Sequence, residues 1–65
     1  MNLKIAIITA GYSQVDLAEK LGIRDTKLSR IVNGRETADP KLRAKIVSIL
    51  RQRKVQVEES ELFTK

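Results

Sequence analysis

The stretch that decides the fold spans residues 14–33, which are QVDLAEKLGIRDTKLSRIVN. In its first half, three apolar residues fall one helical turn apart and share one face: Leu17, Ala18 and Leu21. Gly22 follows, and glycine reaches positive φ without strain, as a sharp turn between helices requires. In the second half, another inward face forms at spacings of three and four: Leu28, Ile31 and Val32. The pattern predicts two short helices joined by a tight turn.

The same stretch resembles the helix-turn-helix of the Cro/repressor-type (XRE-like) family of phage and bacterial transcriptional regulators. The resemblance is carried by Gln14, Leu17-Ala18, Leu21-Gly22-Ile23, Leu28-Ser29-Arg30-Ile31 and Asn33-Gly34. It extends more weakly to residues 3–11, 39–50 and 61–63. The resemblance implies an all-α fold, a compact five-helix repressor-like domain over residues 1–65. It also implies a repressor that binds a two-fold site on double-stranded DNA as a homodimer.

The outward face of the second helix carries the residues predicted to contact bases. Arg30 lies one turn into this helix, and its planar fork can donate two hydrogen bonds to O6 and N7 of one guanine. Lys27, one turn earlier, can contact a base or a phosphate, and the methyl group of Thr26 suits a thymine methyl. Asp25 can accept a hydrogen bond from a cytosine amine. Base contacts are therefore predicted for Thr26, Lys27, Arg30 and Asp25.

The start of this helix departs from the family pattern at Arg24. Relatives often carry Ser or Thr there as the N-cap, whereas in this chain Asp25 is the better capping residue. A cap at Asp25 moves the helix start by one residue and engages the carboxylate that would otherwise be available to a base. The sequence leaves these two roles of Asp25 open.

Phosphate contacts are predicted near both ends of the motif. The resemblance implies that Gln14, in the first turn of the first helix, bonds a DNA phosphate. Asn33 and Arg35 flank Gly34 at the end of the second helix and would fix the register on DNA without distinguishing bases. Lys41, near the start of a later helix, can reach another phosphate. The predicted set is Ser13, Gln14, Arg24, Asn33, Arg35 and Lys41.

Residues 3–10, LKIAIITA, are compatible with a strand or a helix because the run is rich in β-branched residues. A helix is favoured, since no later segment supplies the partner strands of a sheet. Its inward sector is predicted to hold Leu3, Ile7, Ile8 and Ala10. In relatives, an Arg late in this helix pairs with a Glu late in the second helix of the motif. The matching positions here are Ile7 and Val32, and two apolar partners are predicted to pack together.

The remaining helix boundaries have local signals. Asn2 and Ser13 are predicted N-caps, with Asp16 completing a capping box after Ser13. Asp39 followed by Pro40 predicts the start of a fourth helix. That helix has an inward stripe (Leu42, Ile46, Ile49 and Leu50) and an outward basic set (Arg43, Lys45 and Arg51). Apolar and polar residues alternate over residues 55–57, as in a short strand, whereas residues 58–63 can form a last helix. The sequence alone does not decide between a strand and a helix for 55–63.

The charge of the chain is concentrated in its middle. The 65 residues carry a net charge of +5. Residues 20–54 hold eleven Lys or Arg against three acids, whereas the segments before and after are net acidic. A focused positive field of this kind is typical of a surface that meets a polyanion such as DNA.

Composition excludes several other functions. The chain has no Cys and no His, which removes disulfides, the usual zinc sites and most nucleophilic catalysis. We therefore expect no enzyme activity, no metal, no cofactor and no small-molecule ligand. No run is long enough to span a membrane or to serve as a secretion signal, so a cytoplasmic location is expected. The main rival is a protein-interaction module of the same fold, such as an antitoxin or an anti-repressor partner.

Overall fold

Five helices make up the described part of the chain, residues 2–63, in a computed structural model. They are α1 (Leu3–Thr9), α2 (Gln14–Leu21), α3 (Asp25–Val32), α4 (Pro40–Gln52) and α5 (Glu59–Phe63). Residues 2–63 contain no strand, so the predicted all-α fold is confirmed. Residues 3–10 are helical up to Thr9, and residues 55–63 lead into a last helix. None of the helices among these residues has the length and apolar character needed to cross a bilayer.

Three of the helices begin at the predicted caps. Asn2 Oδ1 accepts a hydrogen bond from the Ile5 N–H at 2.8 Å, and Asp39 Oδ1 accepts one from the Leu42 N–H at 2.7 Å. Ser13 Oγ accepts from the Asp16 N–H at 3.1 Å, which is the first of the two bonds of a capping box. Each cap satisfies one of the backbone donors that a helix start leaves free.

The first four helices end in one kind of turn, in which a residue at positive φ follows the helix. Gly11, Gly22 and Gly34 supply this conformation after α1, α2 and α3, and Lys54 supplies it after α4 with φ 65°. In each turn the next residue donates its N–H to a carbonyl five residues earlier, as for Val55 to Leu50 at 3.1 Å. Lys54 stands where the other three turns have glycine. The end of α4 therefore could not be recognised from a glycine in the sequence.

Exchanging the residue at positive φ is expected to change stability in opposite directions at two of these turns. Lys54→Gly should stabilise the fold by about 0.5–1 kcal/mol, because glycine adopts this backbone conformation without strain. Gly22→Ala should destabilise it by about 1–2 kcal/mol, although the added Cβ meets nothing within 4 Å. Urea unfolding measures both values. Equal changes of the same sign in the free energy of unfolding of the two variants would contradict the positive φ assigned to Lys54 and Gly22.

One apolar core joins the helices and the segment that precedes α5. Each of the first four helices contributes buried residues, among them Leu17 and Leu28, which are fully buried. Val55 and Val57 are also buried, and Leu62 of α5 completes the core. Residues 55–57 form no strand. The alternation of apolar and polar residues there arises because the side chains of Val55 and Val57 both point into the core from an irregular segment.

One prediction about the inward face of α1 needs correction, and a second is not tested. Ile8 is 65% exposed, and its predicted place in the α1 interior is taken by Ala6, which is fully buried. The reason is that the buried sector of α1 is narrow, so a residue one position beyond Ile7 turns to solvent. Ile7 is buried, whereas Val32 is half-buried and packs against the same core. Direct contact between Ile7 and Val32 stays a prediction.

The basic residues of α4 do not simply point outward. Arg43 is half-buried, donates to the Ala38 carbonyl at 2.6 Å and pairs with Glu59 of α5 at 2.8 Å. Lys45 donates to the carbonyl of Leu21, the last residue of α2, at 3.4 Å. These side chains tie α4 to α2, to α5 and to the loop that precedes α4. The carbonyl that Lys45 reaches is one that the end of a helix leaves unpaired.

Candidate nucleic-acid interface

The helix α3 has one face in the core and the opposite face in solvent. Leu28 and Ile31 are buried and anchor α3, which packs against α2. On the opposite face Thr26, Arg30 and Asn33 are exposed. A polar face on a helix whose other side is fixed in a core can be inserted into a groove without rearranging the fold.

Asp25 does not cap this helix, which decides between the two roles that the sequence left open. The extended cap conformation belongs to Arg24 (φ −76°, ψ 148°), which makes no side-chain capping bond, and Asp25 is the first helical residue. The capping preference of one exposed carboxylate is worth only about 1 kcal/mol, and Leu28 and Ile31 stay on the buried face whichever of the two residues caps the helix. The Asp25 side chain is exposed and remains suited to the base contact predicted for it; a carboxylate in a first turn also suits the helix dipole.

Lys27 and Arg30 meet a common acidic partner that the sequence analysis did not identify. Glu36, in the loop after α3, accepts a hydrogen bond from Arg30 Nε at 2.9 Å and lies 3.4 Å from Lys27 Nζ. Arg30 and Lys27 are still 56% and 44% exposed in their side chains. Helical spacing could not predict this cluster, because Glu36 is six residues from Arg30 and reaches it only through the turn at Gly34.

The predicted phosphate contacts lie on several elements. Arg24 directly precedes α3 and Arg35 follows it after Gly34, both exposed, at the two ends of a helix about 12 Å long. Lys41 is exposed in the first turn of α4, and Gln14 is half-buried as the first residue of α2. The hydroxyl of Ser13 is already engaged as the α2 cap, but it keeps its own O–H donor.

Asn33 differs from the other predicted phosphate contacts because its side-chain amide already donates a hydrogen bond to the last turn of α3. Asn33 Nδ2 donates to the Ser29 carbonyl at 2.9 Å and lies 3.4 Å from the Ser29 hydroxyl. A phosphate contact from this amide must share or replace those bonds. Among residues 2–63, no group of three or more acidic side chains is placed to hold a metal ion.

The pKa of the Glu36 carboxylate is lowered from its ordinary value by the two cations beside it. The hydrogen bond from Arg30 lowers the pKa of Glu36, partial desolvation opposes this shift, and Lys27 lowers the pKa further. Because the folded-state pKa is depressed, this contribution to stability is present above the ordinary glutamate pKa and is lost as the pH falls through the folded value. Carbon-13 NMR titration of Glu36 measures the shift. Arg30→Ala should raise the Glu36 pKa more than Lys27→Ala, and the reverse order would contradict the dominant role of Arg30.

Comparison with protein families identifies the fold of the motif. A family model described as helix-turn-helix matches residues 3–54, from the start of α1 to the turn after α4. No curated protein and no solved structure matches the chain significantly. The matched range contains all ten residues predicted to contact bases or phosphates.

Proposed function

Because the chain belongs to the helix-turn-helix family of XRE-type DNA-binding regulators, we propose that it is a sequence-specific repressor that binds a two-fold operator as a dimer. Residues 1–65 are treated as a single DNA-binding domain. The helix α3 enters the major groove, whose width admits an α-helix. Repression follows when the bound dimer excludes polymerase from a promoter. With DNA as its partner, the protein is assigned to the cytoplasm.

One observation carries this proposal: the exposed polar face of α3 stands opposite its buried face. Leu28 and Ile31 hold the helix against the core, while Thr26 and Arg30 face outward. An exposed arginine in the last turn of such a helix can donate a bidentate pair to guanine. Lys27 and Asp25 lie earlier in the same helix and are assigned further base contacts.

The phosphate contacts are proposed to set the register of α3 on the duplex. Arg24 and Arg35 lie before and after α3, so they can neutralise phosphates on the two sides of the groove. The remaining proposed phosphate contacts are Ser13, Gln14, Asn33 and Lys41. The excess positive charge of residues 20–54 supports binding to a polyanion and also speeds encounter with it.

Selection of bound sequences from random duplex DNA tests the function directly. The expected result is a two-fold motif with half-site centres about 34 Å, or roughly one helical turn, apart. Recovery of no motif, together with tight binding to an acidic protein, would instead favour the interaction module of the same fold. The family is generally non-enzymatic, and no catalytic step enters the proposal.

Salt dependence gives a second measurement on the same complex. If each dimer neutralises about six to eight phosphates, the affinity should fall with salt with a log–log slope near −6. The physical reason is release of the counterions that the phosphates had condensed. Fluorescence anisotropy on the selected duplex at several salt concentrations measures the slope. A slope near zero would rule out the assigned set of phosphate contacts.

A further inference from the structure

Glu36 occupies an unusual place for an acid in a protein that binds DNA. Its two carboxylate oxygens engage two cations of the exposed α3 face, Arg30 through Oε1 and Lys27 through Oε2. Both cations are assigned to base contacts in the proposed function. A negative charge at this position weakens the attraction of the α3 face to DNA phosphates. A contribution of Glu36 to specificity would offset this loss of affinity.

The backbone holds Glu36 beside Arg30 independently of the ion pair. The N–H of Arg35 donates to the Arg30 carbonyl at 2.8 Å, and the N–H of Glu36 donates to the same oxygen at 3.3 Å. Gly34, at φ 73°, makes the reversal that returns the loop toward α3. The carboxylate is therefore carried on a loop that is bonded to the residue whose side chain it meets.

The contact to Arg30 uses only part of the guanidinium. Glu36 accepts from Nε, and a guanidinium has five N–H donors in a fixed plane. The two terminal nitrogens keep their four N–H groups, enough for a bidentate pair to O6 and N7 of guanine. Fixing Nε restricts the rotation of a long side chain before DNA arrives, which reduces the entropy lost on binding.

We propose that Glu36 is a positioning residue that determines base specificity by orienting Arg30 toward guanine, with Lys27 held by the second carboxylate oxygen. The carboxylate also opposes attraction to any phosphate backbone, so it lowers non-specific affinity. Both effects raise the ratio of specific to non-specific binding. This inference rests on the proposed function, since it deepens the role of the same helix face.

The test compares Glu36→Ala and Glu36→Gln with the parent chain on the selected duplex and on a scrambled duplex at one salt concentration. Glu36→Ala should bind the scrambled duplex as tightly as the parent or more tightly, while its specificity ratio falls about tenfold. The loss should be concentrated at a single G·C pair. Glu36→Gln keeps an acceptor for Nε and should lose less. Circular dichroism confirms that each variant is folded.

Two further variants separate positioning from a general charge effect. Glu19→Gln removes an exposed acid of α2 and should leave the specificity ratio unchanged. In Arg30→Ala, the additional change Glu36→Ala should cause no further loss of specificity. The inference is overturned if Glu36→Ala strengthens binding to both duplexes equally. A parent chain that prefers no duplex would overturn the proposed function, and the inference with it.

Discussion

Replacing Arg30 with alanine is expected to weaken binding to the selected operator about 10- to 100-fold for each half-site, with loss of preference at one base pair of each half-site. Arg30 is more than half exposed and has four N–H donors left for DNA. Its removal also leaves the Glu36 carboxylate with one fewer cationic partner on the face proposed to contact the duplex. Anisotropy titrations on the operator and on its single-base variants measure both effects.

Two substitutions serve as controls for Arg30→Ala. Arg30→Lys keeps the charge but loses the planar fork, so it should retain non-specific binding and lose the base preference. Arg35→Ala removes an exposed arginine assigned to a phosphate in each protomer, so it should weaken binding to all sequences similarly and reduce the salt slope of the dimer by about two. If Arg30→Ala weakens binding to all sequences equally, as expected for Arg35→Ala, then Arg30 contacts the DNA backbone and not a base.

Leu28→Ala is expected to destabilise the fold by about 2–5 kcal/mol. Leu28 is fully buried on the inner face of α3, and its truncation leaves a cavity where α3 packs against the core. A 65-residue domain buries only about 60% of its unfolded surface and has little stability in reserve. Much of the population should therefore be unfolded at 37 °C, and operator binding should fall because α3 is no longer fixed. Urea unfolding and circular dichroism measure the change.

The control for Leu28→Ala is Val15→Ala, on the outer side of α2. Val15 is 51% exposed, so its truncation should change stability by no more than about 0.5 kcal/mol. Arg30→Ala should also leave stability nearly unchanged, which separates loss of binding from loss of fold. An unchanged urea midpoint for Leu28→Ala would show that α3 is not anchored by this side chain.

Much of the helical framework could be predicted because its signals are local. A short polar residue before an apolar periodic run indicates a cap, as at Asn2, Ser13 and Asp39. Glycine at a helix end marks the positive φ of the turn, as at Gly22. Asp25 shows the limit of such rules: its capping preference is worth about 1 kcal/mol, and yet the extended cap conformation belongs to Arg24.

The sequence by itself therefore determined the first four helices, most of their buried faces and the exposed position of Arg30, since each depends on residues within a few turns of one another. Only the tertiary structure decided which partners the charged side chains meet. It brought Glu36 beside Arg30 and Lys27, joined Arg43 to Glu59, and turned Val55 and Val57 into the core. These contacts depend on the path of loops and on the packing of separate helices, which no periodicity in the sequence records.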